Sequence, residues 1–504
     1  MTASEPTPPA RCTVLVVGGG PSGSMAGILL AREGIEVVVL ERDRFPRYHI
    51  GESLLTSAIP VLKFVDLYER MEAHGFVRKP GGYFTLKDGA PPGHVDFGKV
   101  SEHQHSYQVI RSEFDQLLLQ YAAEMGARVL EGTSVTAVAF DGDRPVSASW
   151  QRDDGSAGEI HFDHLVDASG LSGLLANKHL QNRRFQPAFA NVAIGSYWRD
   201  YQPYVAPDGS PQGGNFFMEA MRDGSGWVWA IPLHDGTLSV GVVVHVEELA
   251  RMREGGNDVD AVYREGLGRA TLVSRMLAKA TMVSEIKTWR DFSYVADSFA
   301  GPGFRMAGDA AAFIDPLFST GVHLAFLGAL AAAASIASVI RGELDEREAA
   351  DFHDRCIRKA YVRFAIIVSG MYKQIRRQDE VVLYGIQQTD FRHAFDVILP
   401  LISGSADLAA EGVDQETIGK AIDFTFDMTQ ERSELPSHNP AAKLFVEKAG
   451  VHEDLSADAD VAVGGMFIRM ERGRLGVARV GEEADRLERE KQDLSAELLE
   501  AARR

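Results

Sequence analysis

Three sets of residues have types and spacing that could do chemistry. The first is Gly18-x-Gly20-x-x-Gly23, with Pro21 and Ser22 inside it. It follows a short apolar run, Thr13–Val17, and opens a helical stretch, Ser24–Glu33. In that context the first glycine permits a tight turn, the second admits a pyrophosphate to the backbone, and the third lets helix and strand pack closely. The helix start then offers N–H donors and a partial positive charge to phosphate. Glu41 ends a second apolar run, 18 residues past Gly23, where a carboxylate accepts the hydroxyls of a ribose. The second set is Trp227 and Trp229 in Gly226–Pro232; on a strand both point to one face and make a broad apolar wall. The third is Asp315-Pro-Leu-Phe-Ser319-Thr320-Gly321, at the start of a long helical segment. Amides at a helix start suit an anion, although the same residues also read as a simple N-cap by Ser319 or Thr320.

These residues need a scaffold, and the elements between them supply one. Thr13–Val17, the fingerprint helix and Glu36–Glu41 form a βαβ unit of a Rossmann-like α/β fold. Arg111–Met125 reads as a helix, Ala127–Leu130 and Val135–Phe140 as strands, and Ser147–Phe162 as a hairpin around Asp153-Asp154-Gly155. His164–Gly170 and Arg305–Ala307 are further strands ending in small residues. Asn191–Tyr197, Gly214–Glu219, Gly226–Pro232 and Leu238–His245 predict a second, mostly antiparallel sheet. From Ala349 onward the pattern reads as almost wholly helical, with a loop within Ser403–Gly419 and heptad-spaced apolar residues in Gly481–Arg504. The expected organisation is a module over 1–365, with the substrate sheet interleaved at about 75–110 and 180–300, and a helical region over 366–504 covering the substrate pocket.

The chain has 504 residues, 45% hydrophobic and 24% charged, with 52 basic against 71 acidic side chains and a net charge of −19. An acidic surface repels phosphate backbones and argues against nucleic acid as a partner. Cys12 and Cys356 form neither a disulfide framework nor a metal-ligand spacing, so inert thiols in a reducing cytoplasm and no metal are expected. Met1–Arg11 lacks the apolar core of a signal peptide. Val322–Ile340 is long enough to span a membrane, but it is alanine-rich with His323, Ser335 and Ser338 inside, which favours a buried core helix and no membrane.

Asp167-Ala-Ser-Gly170 and Gly308-Asp309-Ala-Ala resemble motifs of the FAD-dependent aromatic monooxygenase superfamily. The resemblance implies FAD, with Asp309 on the ribityl chain and Arg111, in VIRSEFD, near the diphosphate. Asp167, Gly308 and Arg42, which follows Glu41, join the expected cofactor-binding set. Gly226-Trp227-Val-Trp229-Ala-Ile231-Pro232 resembles the WxWxIP signature of flavin-dependent halogenases. Trp227, Trp229, Ile231 and Pro232, with Pro316, would then partition flavin from organic substrate. Lys79, within His74–Gly82, matches the active-site lysine of that family, against the default reading of a lysine as surface charge; Arg78 and Lys87 are competing basic residues. The Asp315–Gly321 loop resembles the halide site, with the Thr320 and Gly321 amides facing chloride. Tryptophan halogenases carry glutamate just before Ser-Thr-Gly; Phe318 stands here, which argues for a phenol, already activated by its own oxygen. Arg47-Tyr-His-Ile50-Gly51-Glu-Ser53 is similar to the phenol-type, resorcylate-chlorinating group and would lie against the flavin.

The resemblance runs from about Cys12 to Leu401 and implies a mechanism. Reduced FAD from a separate flavin reductase reacts with oxygen to give the C4a-hydroperoxide. Chloride, or bromide, becomes hypohalous acid, and Lys79 positions it beside an electron-rich phenol, free or tethered to an acyl carrier protein, in natural-product biosynthesis. A protonated Lys79 would hydrogen-bond the acid, and a neutral one would form a chloramine. His323 and His49 are candidate bases for the phenol proton, each with a structural role as its ordinary reading. An aromatic hydroxylase, an isoprenoid reductase and a non-catalytic flavoprotein share the nucleotide motifs but do not require the tryptophan wall, the lysine and the halide loop together.

Overall fold

Apolar, largely β-branched stretches such as Val14–Val17 and Val37–Leu40 form the centre of the first sheet. The computed structural model describes residues 7–99, 104–206, 209–290, 293–379, 391–407 and 462–481. In it, Arg11–Val17 lies between Ala157–Asp167 and Val37–Leu40, with Phe304–Met306 beyond the former and Arg128–Leu130 beyond the latter, all parallel. All four residues of Val37–Leu40 are buried, as expected for a strand covered on both faces. The helices Pro21–Arg32, Arg111–Glu124 and Thr320–Ile340 pack together beside this sheet. The glycine turn is sterically enforced. Gly18 has φ of +104°, and a Cβ on Gly23 would fall 1.8 Å from the Gly18 carbonyl oxygen.

The second sheet comes from alternation. Its order is Thr281–Met282, Asn191–Arg199, Leu238–His245, Gly226–Pro232, Phe216–Ala220, Gly81–Thr85 and Gly93–Asp96, with Lys287–Trp289 also paired to Asn191–Arg199. Its pairings are antiparallel except that of Phe216–Ala220 with Gly81–Thr85. Along Gly226–Pro232, Val228 and Ala230 enter a core shared with Val262, Tyr263 and Val273 of the covering helices. Trp227, Trp229 and Ile231 point the other way, into the main core. Glu219 fastens one covering helix: its carboxylate accepts the Leu272 and Val273 amides, each at 2.8 Å, which a helix start leaves without intrahelical partners.

Thr320–Ile340 has a mean hydropathy of 1.9 over its most apolar stretch, and 89% of that stretch is buried inside the protein. It is a core helix, not a span. Glu346–Arg376 runs unbroken through residues 365 and 366, where the sequence suggested a division. Within the C-terminal part, Met466–Arg469 and Gly476–Arg479 pair as an antiparallel hairpin that the helical pattern did not announce. Two four-residue strands are too short for a two-residue period to stand out, and Gly473, with φ of +72°, was the available turn signal. The heptad-spaced residues from 484 onward and the interval after Asp407 lie outside the described residues.

The hairpin is tied to the core helix through Ser338, whose Oγ accepts the Val477 amide at 2.9 Å and donates to Glu343 at 2.9 Å. Ser338→Ala leaves that buried amide without a partner. The expected cost is about 1–3 kcal/mol in urea denaturation, with FAD retention unchanged.

Candidate active site

A cavity of about 530 Å³ opens at the C-terminal ends of the parallel strands, where open α/β sheets bind ligands. Gly20, Pro21 and Ser22 of the fingerprint line it, with Ala168 and Gly308-Asp309 from the strand ends on either side. Gly18 and Gly23 shape the turn behind them. Glu41 is 5% exposed, and its two oxygens accept the Gly19 and Asp43 amides. Arg111 is buried, forks onto Asp115 at 2.8 and 3.0 Å, and donates to the Ile50 carbonyl at 2.6 Å. Arg47 reaches the same Asp115 at 3.3 Å. Arg47, Ile50, Gly51 and Ser53 all line the cavity, so the segment between residues 47 and 53 is its strap. Burial pushes Asp309 up to about 6, against the pull of Arg111 and Arg183.

These residues fit FAD. The hydroxyls of Ser22 and Ser53 are buried without a hydrogen-bond partner. Two arginines, Arg47 and Arg111, and the start of helix Pro21–Arg32 surround the same space. Three further expected cofactor residues do not line this cavity: Glu41, whose oxygens are taken by the Gly19 and Asp43 amides, Asp167 and Arg42. Asp167 is fully buried and its carboxylate accepts the Ser169 and Leu175 amides at 3.0 and 2.7 Å, so it holds the turn. Arg42 is exposed, 3.6 Å from Asp43, and does not line the cavity.

The tryptophans form one wall. Trp227 and Trp229 stand 6.1 Å apart at 53°, Trp289 continues the row 6.4 Å further, and Ile231 and Pro316 line the same cavity; Pro232 does not. The Asp315–Gly321 loop lines the same cavity. Thr320 and Gly321, the first residues of the core helix, line the cavity, and the Thr320 hydroxyl is buried without a partner. Neither Ser319 nor Thr320 provides a side-chain N-cap. Ser319 instead takes φ of +60°, and Asp315 caps Leu317 at 3.0 Å.

Lys79 is 1% exposed at the end of strand Val77–Lys79. Its Nζ donates to the Leu54 carbonyl at 2.9 Å and lies 4.6 and 5.0 Å from the Phe216 and Phe97 ring centres. Phe216 also lines the flavin cavity, so one ring separates the lysine from it. Arg78 and Lys87, the competing basic residues, are paired with Glu72 and Asp379.

The chain matches the model of the FAD binding domain over residues 11–362. It is 43% identical to flavin-dependent halogenase armH1 of Armillaria mellea over 432 residues, 82% of each chain. Sulochrin halogenase gedL of Aspergillus terreus is 41% identical, with 83% of this chain and 79% of that one aligned. The chain belongs to the flavin-dependent halogenases. The fold agrees: the myxobacterial chondrochloren halogenase CndH superposes with a TM-score of 0.67 at 30% identity, covering 84% of this chain and 99% of that one.

Several residues of this halogenase site carried no spacing signal. Tyr372 accepts the Trp227 indole N–H at 2.9 Å and the Asn191 amide at 2.8 Å, and donates to Asp315 at 2.9 Å. Asn191 also donates to Asp315 at 2.9 Å. Glu52 lies inside the recognised strap yet was not singled out. It is 2% exposed, lines the cavity, and accepts from Tyr197 at 2.5 Å; burial pushes it up to about 7. Among the candidate bases, His49 lines the cavity, whereas His323 is occupied by Ser57 at 2.8 Å and Asp407 at 3.0 Å, a structural arrangement.

Tyr372→Phe strips a partner from two buried N–H groups and loosens Asp315 under the halide loop. The expected result is a loss of about 1–3 kcal/mol in stability and a rise in the KM for halide that exceeds any rise in the KM for organic substrate. A second expectation concerns pH. Burial lowers Lys79 to about 7, while an unfolded lysine holds its proton to about 10.4. Between those values the unfolded chain binds more protons, so stability climbs with pH by up to about 1.4 kcal/mol per unit. Lys79→Met should remove that slope between pH 7 and 10, measured by chemical denaturation at each pH.

Proposed function

We propose that this halogenase chlorinates, and also brominates, an electron-rich phenol of aromatic polyketide type. The observation that carries the reading is the pairing of a buried, lowered-pKa lysine with an aromatic box in place of a carboxylate. Phe318 is 3% exposed and lies 5.7 Å from Phe84, which stacks on Phe395 at 4.7 Å and meets Phe216 edge-on at 5.1 Å. This cluster packs against Phe216, the ring beside Lys79, and presents only apolar aromatic faces there. A ring that already carries a hydroxyl needs no glutamate at position 318. The name of sulochrin halogenase supports the same class.

Reduced FAD with oxygen supplies the oxidising equivalent that converts halide to hypohalous acid. The Thr320 and Gly321 amides hold the halide at the positive end of the core helix. The tryptophan wall keeps organic substrate out of that space. Lys79 receives the hypohalous acid, hydrogen-bonding it when protonated or taking the halogen on nitrogen when neutral; a pKa of about 7 keeps both forms accessible. Halogen transfer to the carbon ortho or para to the hydroxyl displaces the ring proton; water leaves in that step when the acid reacts directly, or earlier when the nitrogen takes the halogen, in which case the transfer regenerates the amine. A separate flavin reductase delivers the reduced cofactor, because the chain carries one dinucleotide fingerprint. The phenol arrives free or on an acyl carrier protein. The buried, unpaired Cys12 and Cys356, each pushed up to about 12, suit a reducing cytoplasm.

Incubation with reduced FAD, oxygen, chloride or bromide, and a panel of free and carrier-bound resorcylates, read by mass spectrometry, tests the proposal. Monohalogenated product is expected, and hydroxylated product without halogen would overturn it. Lys79→Met should abolish halogenation while FAD binding persists.

A further inference from the structure

Three side chains from separate elements converge outside the flavin cavity. His74 closes helix Tyr68–His74, Glu113 sits in the first turn of helix Arg111–Glu124, and His234 lies in the turn between Gly226–Pro232 and Leu238–His245. His74 Nε2 is 2.7 Å from Glu113 Oε2, and His234 Nε2 is 3.1 Å from the same oxygen. The three donor atoms all lie within 4.8 Å of one another. Phe76 fixes both rings: His74 stacks on it at 4.1 Å and His234 meets its face edge-on at 5.3 Å. His234 turns a buried Nδ1 inward, which leaves Nε2 as its outward nitrogen. All three side chains keep an open side, at 30%, 37% and 21% exposure.

We propose that His74, Glu113 and His234 bind a zinc ion, with water in the open position. Zinc bonds of about 2.0–2.2 Å in a tetrahedron place neighbouring donors about 3.3–3.6 Å apart. The two distances to Glu113, 2.7 and 3.1 Å, fall just short of that value, so a rotation of the carboxylate that withdraws its oxygen by about half an ångström completes the site. Two imidazoles with one carboxylate favour zinc and its transition-metal neighbours over magnesium or calcium, which take oxygen ligands. The aromatic contacts orient the donors beforehand, which lowers the entropy lost on binding. The ion would pin the turn beyond the tryptophan wall to the helix that begins with Arg111. It would therefore join the substrate sheet to the flavin module.

The test uses the full-length protein, stripped with EDTA and dialysed, then titrated with zinc chloride against a chromophoric chelator and followed by thermal melting. One zinc per chain is expected, with a melting temperature that rises by a few degrees and returns on adding EDTA. His74→Gln and His234→Gln should each weaken zinc at least tenfold and abolish the rise, while His161→Gln, on an exposed strand position, changes neither. Glu113→Gln guards against misfolding of those variants: it keeps a hydrogen-bonding side chain but loses the charged ligand, and it too should weaken zinc at least tenfold. Wild-type protein that takes up no zinc, or ligand variants that bind it as tightly as wild type, would overturn the site and leave a cluster held by hydrogen bonds alone.

Discussion

One buried carboxylate holds the reacting geometry together. Asp315 binds the Leu317 amide of its own loop, the Tyr372 hydroxyl of helix Glu346–Arg376 and the Asn191 amide of the substrate sheet; Tyr372 in turn holds the Trp227 indole. Four elements distant in sequence meet at this knot. A buried carboxylate is costly unless its oxygens are satisfied, and here both accept hydrogen bonds. Even so, burial pushes Asp315 up to about 6. The Asp315–Gly321 loop and the tryptophan row are therefore not independent devices. One network sets the distance between them.

The lysine is handled in the opposite way. Asp315 is compensated on every side, whereas Lys79 has one carbonyl partner and two aromatic rings and, among the described residues, no carboxylate. A counter-ion would have kept it charged. Aromatic faces attract a cation weakly and tolerate a neutral amine, so they leave the proton balanced near neutrality. The price is stability at all pH below about 10, greatest below pH 7 where the charge itself must be carried into a buried site. Strain of this kind is common where chemistry is done and uncommon elsewhere.

Much of this was legible in the sequence, and the reasons differ by residue. Gly18 and Gly23 are readable because the sterics of the turn fix their spacing along one βαβ unit, and Glu41 because it ends the second strand of that unit, where it holds the Gly19 amide of the turn. Trp227 and Trp229 are readable because a strand has period two. Asn191, Asp315 and Tyr372 meet only after two sheets and a helix have packed, so no local period announces their contact, although Asp315 lies in a recognised loop. Asp167 shows the converse. Its motif marks a strand end at the cavity, yet its carboxylate caps the turn behind Ala168, and the line of sequence does not tell which of the two an aspartate will do. The C-terminal hairpin was missed because eight strand residues beside two glycines carry too little pattern.

The membrane-like segment has a functional reason. An amide pair at a helix start binds an anion weakly in water, since bulk dielectric screens the partial charge of the dipole. Placing Thr320 and Gly321 in a cavity walled by indoles removes part of that screening. The helix behind them must then be buried along nearly its whole length, and a helix buried all round is apolar all round. Alanine allows neighbouring helices to approach closely, as Pro21–Arg32 and Glu346–Arg376 do. The hydropathy that imitates a membrane span is thus what burial on every side requires of the helix that carries Thr320 and Gly321.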